Sequence, residues 1–512
     1  MKHYWLVLLA AVMLLGGFIL GSAGSAQAAD AIQLRYDDRK DLSALLGVTV
    51  ESVTISNEQV TSKSVGTNTP DAHVLQYENG TLYATGTGSA TLTVNGKDYA
   101  VTVEAAPISL FMITGHSVGI GEQGNAAQSV AIEPGQAYSS HRYWTFENHN
   151  KCQLIIDPEE VTATTGLGYM AENRISGIDA FAPGGGGTIG GGSGLAWQWN
   201  QLTGEKVWVI NAARGGSCLN HWVPGAEGPS ATRYKYLYDS SMEAYRNAQY
   251  ILKNEIAAGH FTLSHMGMIY HNGANFTKFT GWTYPDLQEY YDRMWNSFKT
   301  DLTTDMDGDG VAETLEFLGL APTWGGSSDD VSYGNDKSVS YYMAASKDYP
   351  YAFLACDITR YYKTAASLAN FPAIEYTTQS QPVSPPESVL SIKNGGTSDN
   401  SFFCLSDYGH LSQVAYNAQG IEMANNVYGY LFDNREATVH FRDRNDNILP
   451  DTMELRVGQS ILAVPMIDPE WSAGDLELTA TGAIRLDYPG SVVGIEVGTG
   501  TLTASRNGQV LK

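Results

Sequence analysis

The chain has 512 residues, of which 43% are hydrophobic and only 16% charged, with 54 glycines and 18 prolines. That balance excludes a disordered chain, a coiled coil and a collagen, and the length suggests roughly two to four domains. Against 30 Lys and Arg stand 54 Asp and Glu, a formal net charge of −24. A surface of this sign repels nucleic-acid backbones and anionic membranes and leaves neutral or cationic partners.

Lys2 and His3 precede an apolar run from Trp5 to Leu20, followed by small residues ending in Ala26-Gln27-Ala28. The run is shorter than the roughly 20 apolar residues of a membrane-spanning helix, so residues 1–28 read as a secretory signal peptide cleaved after Ala28. A secreted, extracellular protein is expected. In that compartment Cys152, Cys218, Cys356 and Cys404 permit two disulfides in any of three pairings, or isolated buried thiols, and the sequence selects neither.

Residues 30–106 alternate like short strands at Val53-Thr54-Ile55, Ala90 to Val94 and Tyr99 to Val103, the last two joined by an Asn95-Gly96 hairpin turn. A small all-β sandwich follows, and its segment Asn79 to Gly88 resembles the bacterial Ig-like repeats of exported proteins. Residues 433–512 repeat the theme: Gly500-Thr501-Leu502-Thr503-Ala504 matches Gly80-Thr81-Leu82-Tyr83-Ala84, preceded by a strand-like Met453 to Val457. Aligning the copies sets Lys512 opposite Leu92, whereas the first copy runs on to Val103. The second β-domain is therefore expected to be incomplete.

Between them, residues 107–432 alternate buried-strand runs, Ile108 to Ile113 and Val207 to Ile210, with helical patterns such as Leu287, Tyr291, Met294, Phe298 and Leu302. This predicts an α/β domain with a parallel sheet, its ligands at the carboxyl ends of the strands. Met294 and Trp295 fall at core spacing and read as packing. Gly184 to Gly187 and Gly190 to Gly192 lack the order of a dinucleotide loop and read as a loop passing close to the site.

Three distant segments each offer part of an acyl-transfer site. Thr114-Gly115-His116-Ser117-Val118-Gly119-Ile120-Gly121 follows the first buried strand and holds a serine in a glycine-rich turn. Gly215-Gly216-Ser217-Cys218-Leu219-Asn220-His221-Trp222 follows the next, and Asp407-Tyr408-Gly409-His410 precedes a helix carrying Ile421, Ala424, Val427, Tyr428 and Leu431 on one side. An Asp three residues before a His can hold the imidazole in the tautomer that activates a serine.

Together these segments resemble the SGNH (GDSL-like) hydrolases, in the sialate O-acetylesterase and acetylxylan esterase branch. The blocks that read Gly-Gln-Ser-Asn-Met-x-Gly, Gly-Gly-Thr-x-Ile-x-x-Trp, Gln-Gly-Glu and Asp-Gly-x-His in that branch correspond to Gly115–Gly121, Gly215–Trp222, Asn272-Gly273-Ala274 and Asp407–His410. The resemblance implies a three-layer α/β/α domain with Ser117 as nucleophile, His410 as base and Asp407 as its orienting partner. It further implies an oxyanion hole made by the amides of Ser117 and Gly216 with the Asn272 side chain. His116, Val118 and Ala274 depart from the pattern, replacing Gln, Asn and Glu.

Asp305-Met306-Asp307-Gly308-Asp309-Gly310, ending at Glu316, fits a calcium loop. Asp305, Asp307, Asp309, the Val311 carbonyl and Glu316 would be oxygen ligands and Gly310 would take the sharp turn. Catalysis itself needs no cofactor in this reading. The expected protein is a secreted serine esterase that takes acetyl or other small acyl groups from carbohydrate, with flanking β-domains for surface association. The rivals are a non-catalytic glycan-binding or adhesive protein on a degenerate hydrolase fold, and a lipid or aryl esterase.

Overall fold

The computed structural model describes residues 30–121, 130, 132, 135–141, 143–144, 152–153, 171–172, 190–228, 231–235, 237–272, 284–322, 331–357, 376–377, 382–383, 413–433, 435–443, 447–470, 474–488 and 490–512. The signal-peptide segment lies outside them. Among the described residues no helix is long and apolar enough to cross a membrane.

The first seven strands are β1 (Asp30–Arg35), β2 (Arg39–Asp41), β3 (Val53–Val60), β4 (Leu75–Glu78), β5 (Thr81–Ala84), β6 (Gly88–Val94) and β7 (Lys97–Glu104), with the one-turn helix α1 (Leu42–Leu46) after β2. They form two sheets, β1-β7-β6-β3 and β2-β5-β4. Leu34, Leu42, Leu75, Leu82, Leu92 and Val101 fill the space between them, because alternate residues of each strand face inward. Asn95 and Gly96 join β6 to β7 with φ of 50° and 82°, the pair of positive values that a two-residue hairpin of this twist demands.

A single residue, Ala105, separates β7 from β8 (Ala106–Gly115), the central strand of a second sheet. One-turn α2 (Ser117–Ile120) follows, then β9 (Ala137–His141), the short pair β10 (Tyr143–Trp144) and β11 (Cys152–Gln153), β12 (Ala171–Glu172), α3 (Gly192–Thr203) and β13 (Lys206–Asn211). Next come α4 (Ala231–Tyr234), α5 (Leu237–Ala258), β14 (Phe261–Asn272), α6 (Tyr284–Asp301), β15 (Phe317–Pro322), α7 (Val331–Ala345) and β16 (Ala352–Leu354). The short pair β17 (Tyr376–Thr377) and β18 (Pro382–Val383) and the long α8 (Gln413–Phe432) complete this region.

The sheet order is β12-β9-β13-β8-β14-β15-β16, all parallel except the edge strand β12. Leaving β8, the chain fills one side of it through β9 and β13 and then crosses to the other side at β14. Such a reversal opens a crevice at the carboxyl ends of the strands. Ile108, Leu110 and Met112 pack on one face against Tyr245 of α5, Tyr291 of α6 and Met343 of α7. Phe111 and Ile113 pack on the other face against Trp199 of α3 and Tyr416 and Val427 of α8. With both faces covered, the strands read as continuous apolar runs, and each large side chain so buried contributes about 1.5–3 kcal/mol. Met294 and Trp295 are buried, and Trp295 stacks on Tyr351 with ring centroids 4.7 Å apart, as core spacing led us to expect.

The last eight strands are β19 (Thr438–Arg442), β20 (Ser460–Leu462), β21 (Val464–Asp468), β22 (Leu476–Gly482), β23 (Ile484–Tyr488), β24 (Ser491–Gly494), β25 (Gly500–Arg506) and β26 (Gln509–Val510). They make three small sheets, β19-β21, β20-β24-β23 and β22-β25-β26, around Val439, Phe441, Ile467, Val492 and Ala504, with Ala345 of α7 in the same cluster. Gly500 to Ala504 lies in β25 as its repeat suggested. Met453 to Val457 does not form a strand: the chain turns at its end through the bond of Gln459 N–H to the Arg456 carbonyl, and Met453 and Val457 are exposed.

Candidate active site

β8 ends in the turn that carries the serine. Gly115 has φ of +113°, and a Cβ there would sit 2.2 Å from the His271 carbonyl oxygen, so only glycine lets β8 and β14 approach this closely. His116 then caps α2 from an extended conformation. Its Nδ1 accepts the Val118 backbone N–H at 3.3 Å and lies 3.3 Å from Ser117 Oγ. Ser117 is half-buried at the first position of α2, above the buried Val118, Gly119 and Ile120. Gly190 presses against this turn, since a Cβ on it would lie 2.9 Å from the Gly119 carbonyl; Gly184 to Gly187 of the same glycine-rich stretch lie outside the described residues.

The loop after β13 is pinned to the same turn. The Gly115 carbonyl accepts both the Arg214 N–H at 2.7 Å and the Ser217 hydroxyl at 3.0 Å, and Trp222 Nε1 donates to that hydroxyl at 3.1 Å. Asn211 Nδ2 donates to the Gly119 carbonyl at 3.0 Å. Two loops almost a hundred residues apart are thereby held as one piece, with Gly216 exposed between the anchors. Gly216 has φ of +73°, a left-handed conformation that strains any residue with a Cβ, and such a Cβ would also push on Tyr234 Oη.

The third block ends the neighbouring strand. His271 pairs in register with Gly115 and Asn272 with Pro322, which puts the ends of β13, β8 and β14 on one carboxyl edge of the sheet. Gly273 and Ala274 lie outside the described residues, and so do Asp407 and His410. Helix α8 begins at Gln413, and at Gln419 it reaches His271, with Gln419 Nε2 lying 3.5 Å from His271 Nδ1. Both side chains are buried, and among the described residues His271 Nε2 and Gln419 Oε1 have no hydrogen-bond partner. Burial, reinforced by the nearby His116, pulls the His271 imidazole down to about 3, so it is neutral under the nucleophile turn at any ordinary pH. The sequence offered no motif for His271 or Gln419.

The acidic loop between α6 and β15 is closed by a bridge of Thr304 to Glu313 and anchored by the buried Met306. Carboxylate oxygens of Asp305, Asp307 and Glu313 lie within 4.8 Å of one another. Gly310 takes the sharp turn at φ +88°, and the Asp309 carboxylate accepts the Val311 N–H at 2.6 Å. Glu316 is not part of this group and Glu313 stands in its place. The Glu316 carboxylate meets His265 Nδ1 at 3.0 Å and the Met266 N–H at 3.2 Å, because the residue leading into β15 is drawn onto the edge of β14.

No family model and no curated protein matches the chain. Among solved structures it is similar to a carbohydrate acetylesterase from Xanthomonas citri, with 12% identity, 93% of this chain and 91% of that one covered, and a TM-score of 0.39. It is also similar to NanS, with 11% identity, 65% and 99% covered, and a TM-score of 0.37. A protein from Arabidopsis thaliana follows at 9% identity, 62% and 96% covered, and a TM-score of 0.31. These likenesses are remote and carry no argument about chemistry.

Proposed function

We propose that this protein is a secreted serine esterase that removes acetyl or similarly small acyl groups from carbohydrate. The observation that carries this reading is the strand–turn–helix elbow at Ser117, fastened through one carbonyl to the loop that presents the Gly216 amide. In this reading Ser117 Oγ attacks the acyl carbonyl as His410 takes its proton, and Asp407 holds the imidazole. The N–H groups of Ser117 and Gly216, with the Asn272 amide, receive the negative charge that develops on the carbonyl oxygen. The sugar hydroxyl leaves with the proton from His410, and water then cleaves the acyl-serine by the same route. The flanking β units would hold the enzyme near a glycan surface.

The test is acetate release. Purified protein should free acetate from acetylated oligosaccharides, hydrolyse short acyl esters faster than long ones, and carry an acetyl mass on the Ser117 peptide after rapid acid quench. A folded protein inert on a broad panel of acetylated glycans would favour the non-catalytic glycan-binding reading. A preference for long chains would favour the lipid esterase.

We also propose that the 305–316 loop holds calcium in a structural role. Asp305, Asp307 and Glu313 supply hard, negatively charged oxygens within reach of one ion, and their mutual repulsion is relieved by a cation. A ligand bound only to the folded state at a hundred times its Kd stabilises by about 2.7 kcal/mol. Millimolar calcium should therefore raise the Tm by several degrees, a chelator should reverse the shift, and Asp307→Ala should abolish it. A Tm indifferent to calcium would remove the metal from this account.

A further inference from the structure

The amide that the proposed esterase assigns to its oxyanion hole sits in the middle of a tight turn. The Ser217 N–H donates to the Arg214 carbonyl at 3.2 Å, so Gly215 and Gly216 are the central pair of a β-turn. Of these two only Gly216 has a positive φ, at +73°, which makes the turn type II. A type I turn between the same ends differs by a rotation of the central peptide of about 150–170°. That peptide is the Gly215 carbonyl and the Gly216 N–H, which point opposite ways across one planar unit. Turn type therefore decides where the Gly216 N–H faces. With glycine at both positions the backbone itself resists neither arrangement strongly. The anchors to the Gly115 carbonyl, from the Arg214 N–H at 2.7 Å and the Ser217 hydroxyl at 3.0 Å, hold only the ends of the turn. The central peptide is met by Tyr234, whose Oη donates to the Gly215 carbonyl at 3.3 Å, a bond that a flipped peptide would lose. Among the described residues the Gly216 N–H donates to no backbone carbonyl, which leaves it for a ligand. The tyrosine ring is itself fixed: it is buried, stacks on His221 with ring centroids 4.5 Å apart, and has the Arg214 guanidinium 6.0 Å from its centroid.

We propose that Tyr234 is a positioning residue for the oxyanion hole: by holding the Gly215 carbonyl, its hydroxyl keeps the Gly216 N–H turned toward the reacting acyl oxygen. The inference rests on the esterase reading, and within it on the Gly216 N–H as a donor. The bond acts twice. It opposes the peptide flip, and it draws electron density onto the Gly215 oxygen, which makes the N–H of the same peptide a stronger donor. Because the acyl oxygen carries its full charge only at the tetrahedral stage, the effect falls on kcat rather than on KM. Deleting a whole oxyanion-hole donor costs about 100- to 1,000-fold in kcat, which is the ceiling for a residue that orients one.

The experiment measures kcat and KM for a small acetyl ester across pH in wild type and Tyr234→Phe, with the Tm of each. It also measures inhibition by 1,1,1-trifluoroacetone, whose carbonyl Ser117 Oγ would attack to give a tetrahedral adduct with the charge on oxygen. Phenylalanine keeps the ring and its stack on His221 and removes only the hydroxyl. The expected result is a kcat lowered about 10- to 100-fold with KM within twofold, trifluoroacetone inhibition weakened in parallel, the acid limb of the pH profile unmoved, and a Tm within a few degrees of wild type. If the phenylalanine variant fails to fold, Tyr234→Met, which fills the space flexibly without a donor, takes its place and should lose rate in the same way. A folded variant with wild-type kcat and wild-type trifluoroacetone inhibition overturns the proposal alone. So does a loss confined to KM, a displaced acid limb, which would put the hydroxyl on the triad instead, or rates that simply follow Tm. Wild-type protein that releases no acetate, or a Ser117→Ala variant that keeps its activity, instead overturns the esterase reading, and the proposal with it.

Discussion

Replacing Ser117 by alanine is expected to abolish ester hydrolysis while leaving the fold intact. A catalytic triad acts as a unit, and removing its nucleophile costs on the order of 10⁶-fold in kcat, leaving only what binding and the oxyanion hole contribute. The structural cost is small by comparison. Ser117 is half-buried, and among the described residues its side chain meets the neighbouring His116. The backbone bonds that shape the turn, Gly121 N–H to the Ser117 carbonyl at 3.0 Å and Ile120 N–H to the His116 carbonyl at 3.1 Å, do not involve the hydroxyl. Losing one exposed-side hydrogen bond lowers stability by about 1 kcal/mol. Activity and Tm should therefore separate: near-total loss of acetate release with a Tm within a few degrees of wild type. An alanine variant that retains more than a few per cent of activity would place the nucleophile elsewhere.

What could be read from the chain was what local pattern determines. The runs Ile108 to Ile113 and Val207 to Ile210 became adjacent parallel strands, the Asn95-Gly96 pair made its hairpin turn, and the spacing of Leu287, Tyr291, Met294 and Phe298 became the buried stripe of α6. The glycine turns at Ser117 and Gly216 were found by composition, and the sheet brings them together. What failed depended on partners far away in sequence. Glu316 sits where a calcium loop would want its last carboxylate, but His265, 51 residues earlier, claims it, and Glu313 faces the loop instead. Met453 to Val457 alternates like a strand, yet it forms none: Gly494 of β24 comes against Leu455 and Arg456, and the chain turns at once through the bond of Gln459 N–H to the Arg456 carbonyl. His116 read as the loss of a family glutamine. That its ring turns back onto Val118 N–H and Ser117 Oγ is a matter of backbone angles that no spacing rule conveys.

Substituting His260 should loosen the N-terminal β unit from the sheet, with an effect that vanishes at high pH. His260 is buried in the turn between α5 and β14. Its Nδ1 lies 2.5 Å from Glu255 on α5 and its Nε2 lies 2.7 Å from Asp71 of the β unit, while Tyr36 stacks on the ring at 4.1 Å. A carboxylate can only accept, so both ring nitrogens donate and the imidazole is a cation. Burial alone would pull its pKa down, but the hydrogen bonds and charges of Glu255 and Asp71 outweigh it and raise the group above its ordinary value. Burial, together with the charges of Glu255, Asp37 and Asp71, pushes the Tyr36 hydroxyl far up, so that ring stays neutral and His260 is the group that titrates. Because the folded pKa is raised, the linked stability is fully present below the ordinary histidine value and is lost as pH rises through the folded one. Removing one member of a buried charge cluster typically costs 3–5 kcal/mol. His260→Gln should therefore melt well below wild type at pH 6, and the gap should close steadily on the alkaline side. Melting curves from pH 5 to 10 decide the matter, since a gap that stays constant across that range would mean that His260 contributes through packing alone and that no charge binds the two units.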